Sequence, residues 1–511
     1  MQSRSTAPLP EKVPGTSEVA YDPKAKDVRL TFCDKLIILF GAGAVVLMLV
    51  LIIHPNIYKG GEAYKADVPF GVNKTAEQIA HHARRHGPSK ATIVGFATPE
   101  GTEAYASTHG KTRGHFSSVF GLHLSSIGIG SYLGEADEVT ADLLENAVHD
   151  AIINGVNVID TSINYLGQRS EKAIGKALRR LFLKEHSVRR DALFISTKAG
   201  FIPQDSEKGV NGRTVLKNWM SSWSESHGGK EFPKDGVVDS KHCISPECID
   251  MSLKQSLNNL GVPTIDLLYL HNVEKQLTNH HLSRDMVMDR IAAAFRRLEY
   301  FRKAGVIRFY GLATWNSFRT SVSDDAFLSL QDLVSMAEKA ATDEGLPASE
   351  HGFKFVQAPL SINLNQLADA EYASERRTFL EAAAALNISV ASSRSIDAGT
   401  AGQVTRSEAL YQKCVTASRD SPSFPLSEVG HSINAVRSVV TTALVGMKQG
   451  AHVTENLRTL QALRLTEEEA KCVFSSHKDA GVGGAQAKAG APSKTRPQAR
   501  RGTRVRGRGS H

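Results

Sequence analysis

From about residue 120 to about residue 465 the chain keeps one rhythm, in which short β-branched runs alternate with longer stretches whose apolar residues recur every three or four positions. The first pattern suits buried strands and the second suits helices laid on them. Strands are predicted at SSIGIGS (125–131), VNVID (156–160), LFISTK (193–198), IDLLYL (265–270), VIRFYGLA (306–313), FKFVQA (353–358), ISVASS (388–393) and TTALVG (441–446). Each is followed by a helical pattern, such as TADLLENAVHDAIING after the first. Eight such units predict an α/β fold, a closed parallel (β/α)8 barrel of the TIM type. No G-x-G-x-x-G follows any of these runs, which argues against an open dinucleotide-binding sheet.

Outside that region the pattern changes. Leu36 to Ile53 (LIILFGAGAVVLMLVLII) is 18 apolar residues without a charge or a polar face, which predicts one transmembrane helix. Gly41-Ala42-Gly43 within it has no preceding strand and no third glycine, so it is not a dinucleotide loop. Lys24, Lys26, Arg29 and Lys35 precede the span and only Lys59 and Lys65 closely follow, a bias that keeps the N-terminus cytoplasmic and exports the barrel. Lys74, Arg84 and Arg85 a little further on weaken that bias. The predicted organisation is a polar lead (1–35), the span (36–53), a linker or juxtamembrane segment (54–115), the barrel (116–475) and a disordered basic tail (476–511).

Charge changes this picture less than its total suggests. The net +8 equals the eight cations between Lys488 and Arg508, a stretch with no acidic residue, and the rest of the chain balances 53 basic against 53 acidic side chains. Nucleic acid is therefore not an expected partner, beyond weak attraction through the tail. Cys33, Cys243, Cys248, Cys414 and Cys472 are too scattered for a disulfide framework, so reduced thiols are expected. His242, Cys243 and Cys248 form H-C-x4-C, but no second ligand pair of zinc-like spacing follows, so no metal is expected.

In a (β/α)8 barrel, chemistry belongs at the C-terminal ends of the strands. The second predicted strand ends in Asp160, with Tyr165 close behind, the third ends in Lys198, and the fourth runs into His271. Hydride addition to a carbonyl builds negative charge on oxygen, so a proton donor must stand beside it. A phenol of pKa about 10 is a poor donor alone, and a neighbouring ammonium makes its anion accessible. The expected roles are Tyr165 as acid/base, Lys198 tuning it, Asp160 orienting Lys198, and His271 polarising the substrate carbonyl.

These segments resemble the aldo-keto reductase family. GVNVIDTSINYLGQRSEKAIGKAL looks like the family's signature around its Asp and Tyr, FISTKAG like its lysine strand, IDLLYLHN like its histidine strand, and ALVGMKQGAHVTENL like its cofactor-binding end. The resemblance implies an NADP-dependent oxidoreductase. Gln357 would hold the nicotinamide carboxamide, Ala313-Thr314 would replace a usual Ser-Asn pair beside it, and Ser392 would stand where a ring-stacking tyrosine is common. Gly446, Met447 and Lys448 would meet the cofactor phosphates, and Glu455 and Asn456 the adenine. His452 takes the place of an arginine that often grips the 2′-phosphate. Lys448 offers a substitute charge, so NADPH is preferred, with NADH the alternative.

The expected function is reduction of an aldehyde or ketone, or oxidation of a sugar-like alcohol, at a membrane and with the barrel on the cytoplasmic side, where the cofactor is. The loop at 199–245 carries Trp219 and Trp223 as expected apolar walls for a small-molecule substrate. A cofactor-sensing subunit of a membrane partner, and an exported barrel with another cofactor, are the alternative readings.

Overall fold

All eight apolar runs form strands, and they close into one parallel barrel. The strands are β3 (Ile127–Gly130), β4 (Val158–Asp160), β5 (Phe194–Ala199), β8 (Ile265–His271), β9 (Ile307–Ala313), β10 (Phe353–Pro359), β11 (Ser389–Ser393) and β12 (Thr442–Gly446). Their order round the barrel is β10-β11-β12-β3-β4-β5-β8-β9, so chain order and spatial order agree and the circle closes between β12 and β3. This computed structural model describes residues 93–110, 114–234, 236–279, 281–396, 401–415 and 426–475. The chain divides into Met1–Phe70 and Gly71–His511, and the described residues all belong to the second part. The predicted span at 36–53 and the basic tail at 476–511 lie outside the described residues, among which no helix is long and apolar enough to cross a membrane.

Strand side chains alternate between the barrel interior and the surrounding helices. Val158, Phe194, Leu267, Phe355, Ala391 and Leu444 form one apolar cluster drawn from six strands, which marks the inward-facing set. Asp160, Lys198, Gln357 and His271 lie two or four residues further along the same faces, at the C-terminal ends. The outward-facing set packs on helices that the sequence caps explicitly. Asp137 accepts from Thr140 N to start α2 (Glu138–Ile153), and Ser245 with Pro246 starts α5 (Pro246–Leu260). Gly261, at φ +72°, ends α5 in the left-handed region that favours glycine.

The opposite end of the barrel is closed by elements that no sequence signal announced. Within the 54–115 stretch, residues 99–109 form helix α1 (Pro99–His109), whose Tyr105 hydroxyl bonds the Ile152 carbonyl. A hairpin of β1 (Phe116–Val119) and β2 (Leu122–Ser125) follows, and its Leu122 and Leu124 join the interior cluster as a plug. Phe120 sits at the turn with its ring 5.5 Å from Phe355 and 5.8 Å from Phe309. Beneath them the buried Arg190–Asp266 pair, at 2.7 Å, also takes the Ala97 and Ile195 amides on Asp266.

After β5 the long insertion builds a small unit of its own. It contains α4 (Gly212–Ser226) and a two-stranded ribbon of β6 (Val237–Val238) and β7 (His242–Cys243). Trp219 is buried in its core with Ile163, Leu216, Phe232, Cys243 and Cys248, and Trp223 stacks on His227 with ring centroids 4.1 Å apart. Both tryptophans therefore stabilise the insertion rather than line a cleft.

The cysteines correct a second expectation. Cys243 is bridged to Cys248, and Cys414 in α9 (Ala401–Cys414) to Cys472 in α12 (Glu467–Ser475). Scattered spacing hid the second pair because the barrel brings α9 and α12 together from 58 residues apart. The first bridge also withdraws both thiols of the H-C-x4-C motif from any ligand set. Among the described residues no group of three or more metal-ligating side chains is gathered.

Candidate active site

Three adjacent strand ends bring the four expected side chains together. Lys198 Nζ donates to Asp160 Oδ2 at 2.5 Å and to the Thr161 carbonyl at 2.7 Å, and it lies 4.9 Å from the centre of the Tyr165 ring. The Tyr165 ring meets His271 edge-on, with centroids 5.9 Å apart. Asp160 and Lys198 are buried, 4% and 1% exposed, which makes the ion pair between them tight and leaves neither partner free to drift.

Tyr165 comes from a loop rather than a strand, so its place has to be fixed by other means. The residues after it, Leu166, Gly167 and Gln168, have φ of 48°, 57° and 71°, a left-handed run that costs energy at the two non-glycine positions. Ser206 of the insertion holds that run by donating to the Leu166 and Gly167 carbonyls, and Gln168 Nε2 donates to the Gln204 carbonyl. A Cβ on Gly167 would stand 2.0 Å from Ser206 Oγ, so only glycine permits this approach. Behind the loop, buried Glu171 accepts from Thr197 and Asn259 and ties α3 (Arg169–Arg179) to β5 and α5.

Electrostatics refine the expected roles. Burial raises the Tyr165 phenol above its ordinary value, and the charge and hydrogen bond of Lys198 offset only part of that rise. Burial works against the Lys198 ammonium, but Asp160 and Tyr165 outweigh it and keep the lysine charged. Burial, with Lys198 and His242 nearby, holds His271 well below the usual histidine value, so its ring is neutral at physiological pH. Ser162 Oγ lies 3.3 Å from His271 Nδ1, which leaves Nε2 as the ring nitrogen without a described partner.

The expected cofactor residues divide into two groups. Gln357 is at the end of β10, but its Nε2 donates to Asp160 Oδ1 at 2.9 Å, beside Ser196 Oγ at 2.8 Å, so its amide is engaged by the Asp160 carboxylate. Ser392 corrects a register error. It faces the helices, buried and bonded to Ser395 at 2.7 Å, because the neighbouring Ala391 takes the inward face, and alternation gives the next inward position to Ser393.

Thr314 lies just past β9 with a buried Oγ1 that has no hydrogen-bond partner among the described residues. Gly446, Met447 and Lys448 join β12 to α11 (Gly450–Arg458). Met447 is packed in the core while Lys448 is half-buried, and the N-cap residue Gln449 makes no side-chain bond to the first-turn amides of α11. Glu455 is exposed and Asn456 buried on that helix. An unpartnered hydroxyl at one strand end, and open amides beside a lysine three strands round the barrel, suit the amide and phosphate ends of a nicotinamide dinucleotide.

Glu274 was not anticipated. It is buried, its Oε1 accepts from the Trp315 and Asn316 amides at 2.5 and 3.2 Å, and it thereby fixes the loop after β9. Its closeness in sequence to His271 was the available signal.

Comparison with known proteins gives the family. The model of the Aldo/keto reductase family matches residues 126–476. An uncharacterized oxidoreductase of Bacillus subtilis is 23% identical over 362 residues, covering 70% of this chain and 94% of its own length. D-threo-aldose 1-dehydrogenase of a Pseudomonas species is 26% identical over 49% of this chain and 70% of its own. Pyridoxal 4-dehydrogenase of Microbacterium luteolum is 24% identical over 66% and 89%. Among solved structures, an aldo-keto reductase of Bacillus halodurans in its holo form matches with a TM-score of 0.43 and 18% identity over 70% of this chain and 94% of its own.

Proposed function

This chain belongs to the aldo/keto reductase family, and we propose that it reduces a small aldehyde or ketone, or oxidises the corresponding sugar-like alcohol, with NADPH as its cofactor. The observation that carries the reading is the placement of Lys198 between Asp160 and Tyr165, with the His271 ring facing Tyr165 across the same strand ends.

When bound, the nicotinamide supplies or takes up the hydride. Thr314 would bond its carboxamide, and the α11 amides with Lys448 would hold its phosphates, the lysine supporting NADPH over NADH as a point charge. The chain's own residues move the proton. Tyr165 gives its hydroxyl proton to the carbonyl oxygen as charge develops there, and Lys198 stabilises the phenolate left behind. Asp160 holds Lys198 charged and in place. A neutral His271 orients the carbonyl through a ring N–H without competing as the acid, because its imidazolium is too costly in this buried position.

Tyr132, 58% exposed and edge-on to Tyr165 at 5.0 Å, and Phe201, 4.9 Å from His271, give the site aromatic walls. Two relatives are named for an aldose and for pyridoxal, which supports a small substrate for this chain. The apolar run at 36–53 supports attachment of the barrel to a membrane, on the side where reduced nicotinamide is available.

The test is NADPH oxidation by the purified protein over a panel of aldehydes and ketones. Tyr165→Phe is expected to abolish turnover while NADPH binding, followed by fluorescence quenching, stays within about threefold. Full activity in Tyr165→Phe contradicts the assignment.

A further inference from the structure

The H-C-x4-C motif, empty of metal chemistry once its thiols are bridged, places a buried histidine directly behind the candidate site. His242 is 3% exposed, and its Nε2 lies 2.7 Å from the carbonyl oxygen of His271. A carbonyl oxygen only accepts, so Nε2 carries the proton, and Nδ1 faces the donating amide of Gln276 at 3.4 Å. Gln276 is itself fixed, donating to the Gly236 carbonyl and accepting from Arg290. Burial holds His242 down to about 4, so this donor state persists across physiological pH.

The bond matters because of where His271 sits. It is the last residue of β8, and Asn272 after it turns to φ +51°, so the peptide leaving His271 is where the strand's own support ends. On one side the Asn272 amide is held by the Ala313 carbonyl at 2.7 Å, and on the other the His271 carbonyl is held by His242. Phe201 packs edge-on against both imidazoles, with centroids at 5.1 and 4.9 Å. A Cβ on Gly200 would stand 2.8 Å from the His271 carbonyl oxygen and 3.2 Å from His242 Nε2, so a glycine keeps the path between them clear. The Cys243–Cys248 bridge pins the residue next to His242 onto the first turn of α5, and the Cys243 amide bonds the Gly200 carbonyl at 2.7 Å.

We propose that His242 is a positioning residue for His271, and that the Cys243–Cys248 bridge is the strut that keeps it seated. The proposal rests on the reading of His271 as the group that orients the substrate carbonyl. Removing the donor leaves the His271 carbonyl unsatisfied and lets the ring it carries swing away from Tyr165.

The test compares His242→Leu, His242→Gln and the pair Cys243→Ser with Cys248→Ser in the full chain, using NADPH and 4-nitrobenzaldehyde, with thermal melting measured on the same samples. His242→Leu is expected to lower kcat about tenfold with little change in the KM for NADPH. His242→Gln, which keeps an N–H donor, is expected to recover most of that loss even if its melting temperature falls as far. The serine pair is expected to lower kcat about threefold. If His242→Leu melts lower but keeps the wild-type kcat, or if Gln and Leu are equally slow, the positioning role is wrong. Tyr165→Phe in the same assay separates the two readings. Its full activity would sink the proton-donor assignment, whereas an unchanged His242→Leu beside an inactive Tyr165→Phe would sink only the positioning role.

Discussion

At the scale of single residues the chemistry turns on competition between burial and one ammonium. Burial raises the Tyr165 phenol, and Lys198 pulls it part of the way back. In Lys198→Met that pull disappears, so the phenol rises further and the phenolate becomes harder to form. The expected result is a fall in kcat of about 100-fold, together with a shift of the alkaline limb of the kcat/KM profile to higher pH, measured between pH 6 and 11. A limb that stays in place would mean that Lys198 does not tune the group being titrated. The four residues of this centre were legible because each ends, or closely follows, an apolar run whose length is unambiguous. Ser392 was misread for a reason that acts at one-residue resolution. A strand pattern locates the run, but which of two successive positions faces inward depends on register, and Ser392 and Ser393 differ only in that.

At the scale of elements, the eight barrel strands were visible in the pattern and the plug was not. The hairpin turns through Phe120 and Gly121 at φ +50° and +81°, a two-residue turn that ordinarily advertises itself with Asn-Gly or Asp-Gly. Phe120 occupies the first place because its ring fills the barrel floor, so tertiary packing overrides the local signal. His115, just before that hairpin, joins it to the end of α2 through an Nε2–H bond to the Gly155 carbonyl at 2.9 Å. Burial, reinforced by Arg437, Arg464 and His109 and opposed by the bond to Gly155, brings His115 down to about 4. The folded value lies below the unfolded one, so the stability His115 supplies is present above about pH 6.5 and is lost as pH falls towards 4. Between pH 7.5 and 4.5 wild-type protein is expected to lose about 2 to 3 kcal/mol more unfolding free energy than His115→Gln, measured in urea. Equal losses in the two proteins would show that His115 does not stay neutral in the fold.

At the scale of the whole molecule, the described residues combine a conventional barrel with two covalent ties. The longer tie does not follow from the sequence, because its pairing depends on which helices the closed barrel makes neighbours. Cys414–Cys472 closes 58 residues that include β12, the last strand needed to shut the ring. Chain-entropy arguments put the stabilisation from a loop of that length at about 4 kcal/mol. The double variant Cys414→Ala with Cys472→Ala is therefore expected to melt several degrees lower, with kcat little changed, since the bridge joins two helices and none of the strands that carry the site. A melting temperature equal to that of wild type would show that the bridge does not constrain the unfolded chain.

The central claim, that a hydride crosses to a carbonyl while Tyr165 delivers the proton, is tested most directly with NADPH deuterated at C4 on the transferred face. Incubated with 4-nitrobenzaldehyde, the wild-type protein is expected to yield alcohol carrying one deuterium on the carbinol carbon, read by mass spectrometry, and Tyr165→Phe to yield essentially none. Deuterated alcohol formed at the same rate by Tyr165→Phe, or alcohol formed by wild type without the label, would contradict the account.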